Sequence, residues 1–403
     1  MKIAHVIATL DPVFGGPPVV AASLAAAQSA RGLGVSIISC VDPSRAEAIE
    51  QGLGPVPGLD RVERRAMPPF SPWRAIWPPG GDRALRHALA DADVVHFHGV
   101  WEPMLAAGAR LCRLRGQPYV VSPHGMLDRW GLFQKRLKKQ LALALWSRRM
   151  LNGSAFIHCL SISEREALGD VGVVAPVRVI PNGIFERQMR SLPPRGRFVA
   201  AYPQLEGKRL ILFLGRLHHV KGLEHLAEAF ARIALRHMDA HLVVVGPDEG
   251  AQADFERRIH AAGLASRVLL TGPLYGQAKY EALVDACCFC LPSRLEGFSI
   301  AITEAVACGV PVVISEGCRF PEVAQAGAGR IVPLDSQRIA DALEEILSDP
   351  ALAERMGRAG RALVFERYTW EAIAAVFEDA YRAAAQGATG AARARGVRRD
   401  VPP

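Results

Sequence analysis

The sequence lacks any uninterrupted apolar run of the roughly 18 residues that a membrane-spanning helix needs. Its first ten residues are too short an apolar segment for a signal peptide and read instead as a first strand. It contains no helix-turn-helix, zinc-finger or RNP-type motif, and its aromatic residues do not interleave with basic ones as a stacking platform requires. We therefore expect a cytoplasmic protein that does not bind nucleic acid.

Cysteine is too sparse for a disulfide framework, because 403 residues contain only eight. Most of the eight stand in apolar strand or helix contexts, which favours buried thiols. Cys287 and Cys290 form a C-x-x-C, but residues three apart on a strand point to opposite faces and no second cysteine pair follows. A structural metal is therefore not expected there.

Hydrophobic residues make up 50% of the chain and charged residues 22%, as in a globular protein of two or three domains. The formal net charge of +8 is uneven: residues 1–185 hold 21 Lys and Arg against 14 Asp and Glu, whereas the remainder holds 27 against 26. A basic first half and a near-neutral second half suggest two domains with different partners.

Short apolar segments alternate with helical patterns twice along the chain. Strands are predicted in the first half at Lys2–Ala8, Gly34–Cys40, Val94–His98, Tyr119–Ser122, Phe156–Leu160 and Val177–Ile180. The second half predicts strands at Leu210–Phe213, His241–Val245, Val268–Leu270, Cys287–Leu291 and Val312–Ile314. This alternation is typical of parallel sheets with helices on both faces, so we predict an α/β fold with two doubly wound, Rossmann-like domains facing a cleft.

The predicted first domain covers residues 1–190, and the second covers residues 205–365. In residues 369–386, Trp370, Ile373, Phe377 and Tyr381 share one helical face that needs a surface to cover. We expect this C-terminal helix to cross back and pack on the first domain. The Ala-, Gly- and Arg-rich residues 387–403 are predicted to form a disordered tail.

The most informative segment is Leu291–Val313, in which Glu296 and Glu304 flank the start of a helix that follows a buried strand. Ser299 can cap that helix, and the loop amides before it form an anion site. Carboxylates beside such a site suit sugar hydroxyls, which donate hydrogen bonds. The alternative is that both glutamates are solvated surface residues, as most glutamates are.

Other polar residues also follow predicted strands. Arg216 and Lys221 come just after the first strand of the second half, where a guanidinium fork and an ammonium could hold a diphosphate without a divalent ion. Gly15 and Gly16 open the first helix, where glycine allows close backbone approach to an anion. Exposed cations and a plain tight turn are the alternative interpretations.

Three histidines end predicted strands, and a histidine there in an α/β protein suggests function. His124 is the stronger candidate; His96 and His98 share one strand face and could be structural or a metal pair, but no third ligand stands near them in the sequence. Asp91 and Asp93 form a D-x-D that precedes a strand, which we interpret as a loop or cap rather than a metal site.

The chain resembles the retaining glycosyltransferases of family 4, which have the GT-B fold. Blocks similar to that family's pattern follow in order over residues 3–385: GGPP at 15–18, HFHG at 96–99, SPHGMLD at 122–128, SISERE at 161–166, VIPNGI at 179–184, FLGRLHHVKG at 213–222, VVVGP at 243–247, LTGP at 270–273, EGFSIAITEA at 296–305 and GVPVV at 309–313. SPHGML followed by a basic helix is similar to members that build bacterial exopolysaccharide or lipopolysaccharide.

The resemblance implies transfer of a hexose from a UDP- or GDP-sugar to a glycan or lipid-linked saccharide, with retention at the anomeric carbon and no metal or other cofactor. It implies that Arg216 and Lys221 bind the diphosphate, Glu304 the ribose, and Glu296 the donor sugar. The blocks assign further donor contacts to Gly16, Gly246, Gly272 and the amides of Gly297, Phe298 and Ser299. His124 would meet the transferring sugar, and His98 and Asn182 would have acceptor or structural roles.

Rival functions remain open on the sequence alone. Glu296 and Glu304 could act as the acid and base of a glycosidase, although a hydrolase has no need of a diphosphate clip. A nucleotide-sugar epimerase of similar two-domain shape would need no acceptor, and a catalytically inactive sugar-nucleotide sensor would bind without turnover.

The segment 129–151 carries seven basic residues and no acidic one, interleaved with leucine and tryptophan. Such a segment can lie on an anionic membrane, which would make the protein peripheral at the inner face of the membrane. The alternative is an amphipathic helix packed on its own sheet with a solvated basic face.

Overall fold

The computed structural model describes residues 1–54, 56–67, 80–127, 132 and 136–397. The chain divides into two compact units: unit 1 comprises residues 1–182 together with the chain from Trp370 onward, and unit 2 comprises Gly183–Thr369. Each unit is built on one parallel β-sheet. No helix within the described ranges is both long and apolar enough to cross a bilayer.

Unit 1 contains, in its described residues, a seven-stranded sheet in the order β3-β2-β1-β4-β5-β6-β7. Its strands are β1 Lys2–Ile7, β2 Gly34–Cys40, β3 Glu63–Met67, β4 Val94–His98, β5 Tyr119–Ser122, β6 Phe156–Cys159 and β7 Val177–Val179. The central strands are buried on both faces, which is why they are short and mostly apolar in the sequence.

Helices connect these strands. They are α1 Gly16–Ala30, α2 Ala46–Leu53, α3 Gly81–Ala88, α4 Pro103–Arg115, α5 Arg136–Ala142, α6 Arg148–Asn152 and α7 Ile162–Asp170. A π-helical turn, Leu143–Ser147, joins α5 to α6. Short 3₁₀ turns lie at Pro12–Phe14, Pro43–Arg45 and Leu59–Arg61.

Unit 2 repeats the pattern with a six-stranded parallel sheet in the order β10-β9-β8-β11-β12-β13. Its strands are β8 Arg209–Leu214, β9 Ala240–Val245, β10 Val268–Gly272, β11 Cys288–Leu291, β12 Val312–Ser315 and β13 Gly329–Val332. Its helices are α8 Glu186–Arg190, α9 Arg197–Ala201, α10 Leu223–Ala234, α11 Gln252–Ala261, α12 Gly276–Asp285, α13 Ile300–Ala307, α14 Glu322–Gln325, α15 Ser336–Ser348 and α16 Pro350–Arg367. Its 3₁₀ turns are Pro203–Leu205, His219–Lys221, Ala265–Arg267 and Glu316–Cys318.

The last helix, α17 Trp370–Val397, returns the chain to unit 1 and packs against α1 and β4. Phe377 and Tyr381 on this helix are almost fully buried, as their shared helical face predicts. The fold class is thus confirmed: two doubly wound α/β units and a C-terminal helix that crosses back. The helix runs to Val397, past its predicted end at residue 386, because the alanine-rich chain that follows has high helix propensity. Residues 398–403 lie outside the described part.

In each sheet the strand order reverses between two central neighbours, β1 and β4 in unit 1 and β8 and β11 in unit 2. Connections from these two strands leave in opposite directions, so a crevice forms beside their carboxyl ends. Ligands of doubly wound sheets bind at this point. It is therefore where the candidate residues of each unit should be sought.

Candidate functional site

In unit 2, the loops that follow β8 and β11 pack closely at the reversal point. The amide of Arg294 donates to the carbonyl of Val220 at 2.7 Å, and the hydroxyl of Ser293 donates to the same carbonyl at 3.0 Å. Gly222 has φ near +69°, and a β-carbon there would lie 2.0 Å from the carbonyl oxygen of Pro292. Glycine is therefore required for the two loops to meet.

This packing brings Lys221 and Glu296 together. Their Nζ and Oε1 atoms lie 2.6 Å apart, and their side chains are 16% and 10% exposed. The interpretation of Glu296 as a solvated loop carboxylate is therefore wrong. Its loop is fixed because its amide donates to the carbonyl of Gly317, which follows β12.

Glu304 lies on α13 and is only 6% exposed, so it is not a surface glutamate either. Its Oε1 atom accepts a hydrogen bond from Lys279 at 2.5 Å and from the hydroxyl of Tyr280 at 3.2 Å. Burial, with the neighbouring Glu304 charge second, raises the pKa of Tyr280 above its ordinary value, so its hydroxyl stays protonated as a donor. The sequence reasoning missed Lys279 and Tyr280; their position at the start of a helix after a strand-ending glycine was the available signal.

The N-terminus of α13 is open to an anion. Ser299 caps the helix, because its hydroxyl accepts from the amide of Ile302 at 3.4 Å. No described residue accepts a hydrogen bond from the amides of Gly297, Phe298 or Ser299. Phe298 is held by its ring, which packs against Phe320. These three amides and the positive end of the helix favour a phosphate group at this N-terminus.

Arg216 also follows β8, but its guanidinium pairs with Glu249 at 2.6 Å and its side chain is 62% exposed. A phosphate could replace this exposed partner at small cost. Gly246 and Gly272 lie in the same layer of loops, where the amide of Gly246 donates to the carbonyl of Gly272 at 3.0 Å. A β-carbon on Gly246 would lie 1.9 Å from the carbonyl oxygen of Gly215. Gly246 therefore has a packing role that any donor contact would add to.

In unit 1, Gly15 and Gly16 connect the first strand to α1, as predicted. Gly15 has φ near +92° and ends the loop, while Gly16 begins the helix with no atom within 4 Å of where its β-carbon would be. The N-cap residue, Gly15, has no side chain that could cap this helix. Gly16 thus leaves room for a ligand to reach the first amides of α1.

His124 lies in the loop after β5 with φ near +54°, an uncommon left-handed conformation for a residue with a side chain. Its Nε2 atom lies 3.0 Å from Nδ1 of His98. The carboxylate of Glu164 fixes the loop, because it accepts from the amides of Gly125 and Leu160 at 2.6 Å each. Glu164 was overlooked as a site residue, although Ser161 and Glu164 form an S-x-x-E capping pattern. Asn182 is buried at the end of unit 1.

His96 and His98 do have a third histidine nearby, which the sequence reasoning missed. β1 and β4 pair in parallel with His5 opposite His96, so the three side chains share one face. Their nitrogen atoms lie within 4.8 Å of one another, and all three side chains are buried. The ring nitrogens of these histidines are engaged in hydrogen bonds with each other and with neighbouring side chains.

Burial keeps these histidines neutral. Desolvation lowers the pKa of His5 to about 4 and that of His124 to about 3, and it lowers the pKa of His96 and His98 well below the usual value, with neighbouring histidines adding to the effect. Each ring therefore carries one proton at neutral pH.

The other candidate metal ligands have ordinary structural surroundings. Asp93, which was predicted to lie in a loop or cap, accepts from the backbone amide of Lys2 at 2.7 Å. Cys290 is buried in β11, where burial raises the pKa of its thiol far above the usual range, and Cys287 lies just before that strand and is half-buried.

Only part of the basic segment 129–151 is described, because residues 129–131 and 133–135 lie outside the described residues. One face packs into unit 1 through the buried residues Leu143, Met150 and Leu151. Leu137, Leu141 and Leu145, spaced four residues apart, are 82%, 59% and 62% exposed. An ordinary solvated basic face would not carry such a row of exposed leucines.

The chain is similar to known protein families along most of its length. Residues 14–186 match the family "Glycosyltransferase Family 4" and residues 196–363 match "Glycosyl transferases group 1". The phosphatidyl-myo-inositol mannosyltransferase of Mycobacterium leprae is 31% identical over 302 residues, which cover 73% of this chain and 74% of that protein. The GDP-mannose:cellobiosyl-diphosphopolyprenol alpha-mannosyltransferase of Xanthomonas campestris is 27% identical over 401 residues, 95% and 97% of the two chains.

A solved structure of HepE from Anabaena in complex with UDP shares the fold, with a TM-score of 0.74 and 18% identity over 95% of this chain and all of that one. The family matches span both units, and the mycobacterial relative exceeds 30% identity over most of its length. The chain therefore belongs to glycosyltransferase family 4.

Proposed function

We propose that this glycosyltransferase moves a hexose from a UDP- or GDP-sugar to a glycan or lipid-linked saccharide in bacterial cell-surface polysaccharide synthesis, with retention at the anomeric carbon. The observation that carries the proposal is the largely buried pair of Lys221 and Glu296 at the reversal point of unit 2, beside the open N-terminus of α13. A cation, a helix end and a carboxylate match a diphosphate joined to a sugar.

Each donor group has a matching partner in unit 2. The ammonium of Lys221 and the guanidinium of Arg216 would neutralise the diphosphate, and the amides of Gly297 and Phe298 would bind its distal phosphate. Glu304 would accept hydrogen bonds from the ribose hydroxyls, since a carboxylate has further acceptor sites beyond those that Lys279 and Tyr280 fill. Glu296 would accept from hydroxyls of the sugar.

The transfer step is proposed to occur on one face of the sugar. The acceptor oxygen forms a bond to the anomeric carbon as the bond from that carbon to the phosphate oxygen breaks, and the acceptor proton passes to the leaving diphosphate. Lys221 and Arg216 stabilise the negative charge that develops on the leaving group. No carboxylate nucleophile is needed for this step.

The glycosidase alternative is less favoured, because Glu296 and Glu304 hydrogen-bond to different lysines and share no partner among the described residues.

An epimerase would also use the donor site. Incubation of the purified chain with UDP-glucose or GDP-mannose and no acceptor distinguishes an epimerase from a transferase. An epimerase converts the donor to a different sugar nucleotide, whereas a transferase leaves it intact.

Positive side chains in place of a metal imply that no cofactor is required. Transfer should therefore persist in EDTA, and restoration of a lost activity by Mg²⁺ or Mn²⁺ would contradict this part of the proposal.

The acceptor is proposed to be met at the inner face of the membrane. The Xanthomonas relative acts, by its name, on a diphosphopolyprenol-linked sugar. In this chain, the exposed leucines of α5 and the following π turn, together with the basic residues around them, would hold unit 1 at an anionic surface.

The test measures the release of UDP or GDP from the matching sugar nucleotide in the presence of a bacterial lipid extract that contains lipid-linked saccharides. The anomeric configuration of the product is then determined by NMR. We expect acceptor-dependent release and a product whose anomeric configuration equals that of the donor. An inverted product would overturn retention, and release that is independent of acceptor would indicate hydrolysis instead.

A further inference from the structure

Eight polar side chains in unit 1 form one continuous series of hydrogen bonds, called here the histidine chain. It runs from the loop after β5, through the face of the sheet covered by α17, to the end of β7. Its members are His124, His98, His5, Gln28, Tyr381, His96, Ser122 and His158, and its last acceptor is the carbonyl oxygen of Ile180.

The direction of every hydrogen bond in the series follows from its last member. The carbonyl of Ile180 can only accept, so Nε2 of His158, 2.7 Å away, carries the proton. Nδ1 of the neutral ring must then accept from the hydroxyl of Ser122 at 2.6 Å. Because Ser122 has a single proton, it accepts from Nε2 of His96, also at 2.6 Å.

The same reasoning continues through α17. Nδ1 of His96 accepts from the hydroxyl of Tyr381 at 2.6 Å, so that hydroxyl can only accept from Gln28, at 3.5 Å. This fixes the amide orientation of Gln28, whose oxygen faces Nε2 of His5 at 2.7 Å. His5 in turn accepts at Nδ1 from Nε2 of His98, at 2.9 Å.

The series ends at His124, whose Nε2 proton is donated to Nδ1 of His98 at 3.0 Å. Nδ1 of His124 is left with a lone pair, and no described residue hydrogen-bonds to it. The rings are neutral, because desolvation lowers their pKa values, so no second proton alters this assignment.

We propose that Tyr381 is a positioning residue: by linking Gln28 to His96, it holds His124 in the tautomer whose Nδ1 accepts a hydrogen bond from a sugar hydroxyl. This inference rests on the proposed function for the identity of the ligand, but the tautomer itself is a property of the free protein. It assigns α17 a role in the chemistry of the site in addition to packing.

The direction of the hydrogen bonds is fixed because the hydroxyl of Tyr381 contacts both Gln28 and His96. In Tyr381→Phe, the lower part of the series is unchanged, since His158 still donates to Ile180 and still directs Ser122 and His96. The amide of Gln28 is then free to turn over, which allows all three upper histidines to exchange tautomers. In the other tautomer His124 carries its proton on Nδ1 and cannot accept from a sugar hydroxyl.

The experiment is long-range ¹H–¹⁵N NMR of the full chain labelled with ¹⁵N-histidine, with the His124 signal assigned from a His124→Gln spectrum. We expect Nε2–H at His124 in the wild type and a mixture of tautomers at His5, His98 and His124 in Tyr381→Phe, while His96 and His158 stay Nε2–H. kcat/KM for the sugar nucleotide should fall about tenfold, the effect of one lost hydrogen bond.

Phe377→Leu is the matched control, because Phe377 lies one turn away on α17 and its ring contacts His96 and His158 without a hydrogen bond. It should lower stability but leave all tautomers unchanged. If Tyr381→Phe does not fold, Gln28→Met breaks the series one link further along and should release the same three histidines.

Three results would overturn the proposal. They are Nδ1–H at His124 in the wild type, an unchanged His124 signal in a folded Tyr381→Phe or Gln28→Met protein, and one equivalent of zinc bound by His5, His96 and His98 in the purified chain. Failure of the nucleotide-sugar assays alone would instead count against the proposed function and leave the NMR result standing.

Discussion

Lys221 and Glu296 are 75 residues apart in the sequence, yet the lysine Nζ lies 2.6 Å from a carboxylate oxygen of the glutamate. The contact exists because β8 and β11 are neighbours in the sheet, so the loops that follow them emerge side by side. Before a donor binds, the carboxylate supplies the counter-charge that a half-buried ammonium needs. A bound diphosphate could take over part of that role.

Lys221→Ala should therefore abolish most of the transfer activity. Loss of a group that stabilises charge in a transition state costs about 3–4 kcal/mol, or roughly a hundredfold to a thousandfold in kcat. The measurement is kcat from nucleotide release, with folding checked by circular dichroism. Lys208→Ala, which changes an exposed lysine of the same unit, is the control and should keep normal turnover. Near-normal kcat in Lys221→Ala would refute the diphosphate role.

Glu304→Gln should weaken nucleotide binding more than it slows the transfer step. A hydrogen bond to a charged group contributes about 1.5–3 kcal/mol, so the Kd for UDP or GDP should rise roughly tenfold to a hundredfold. Tyr280→Phe should have a smaller effect, because it removes only the hydroxyl that contacts Glu304.

Isothermal titration calorimetry with the nucleoside diphosphate measures this change directly. The control is Glu345→Gln, which disturbs an exposed carboxylate paired with Arg330 elsewhere in unit 2. An unchanged Kd in Glu304→Gln would show that the ribose is bound elsewhere.

Most of the fold could be predicted because its strands are short apolar runs of a doubly covered parallel sheet. Val94–His98 and Tyr119–Ser122 have the predicted bounds. β3, Glu63–Met67, was missed because it is an edge strand with mostly polar, partly exposed side chains. β13, Gly329–Val332, was missed because it is only four residues long and its apolar residues are half-buried.

The candidate site was predictable only where its residues form contiguous motifs. Glu296, Ser299 and Glu304 stand within one segment, so their shared surroundings could be inferred from spacing. Lys279 and His5 were missed because their partners come from other elements of the same unit. Their proximity depends on strand order and register, which a single sequence does not state.

Acid should destabilise unit 1 through its buried histidines. The pKa of His5 and His158 is lowered to about 4 and that of His124 to about 3, whereas an unfolded histidine titrates near 6.5. Between these pKa values the unfolded chain binds protons that the folded chain excludes. The contribution of these histidines to the free energy of unfolding is therefore greatest above pH 6.5 and falls as the pH decreases. Each such histidine contributes a slope of up to about 1.4 kcal/mol per pH unit.

Urea unfolding at pH 7.5, 6.5, 5.5 and 4.5 (about one-unit steps through the range in which unfolded histidine titrates) would measure this slope. His5→Gln should reduce it, since the substituted side chain does not titrate. His87→Gln, which changes an exposed histidine of α3, should leave it unchanged. Equal slopes in wild type and His5→Gln would contradict the assignment of buried neutral rings.

The last prediction concerns the exposed leucines of the basic segment. Leu137 and Leu141 are 82% and 59% exposed, and each leucine that enters the lipid interface would contribute up to about 1.5–3 kcal/mol. Basic neighbours such as Lys138 add about 1 kcal/mol each near an anionic surface. Wild type should therefore sediment with vesicles that contain anionic phospholipid, less so at high salt, and Leu137→Ser with Leu141→Ser should reduce the bound fraction severalfold. Leu235→Ser is the matched control, because Leu235 is an equally exposed leucine at the end of α10. If the double variant sediments as wild type does, or if binding ignores lipid charge, the leucine row serves another contact and the acceptor must reach unit 1 from solution.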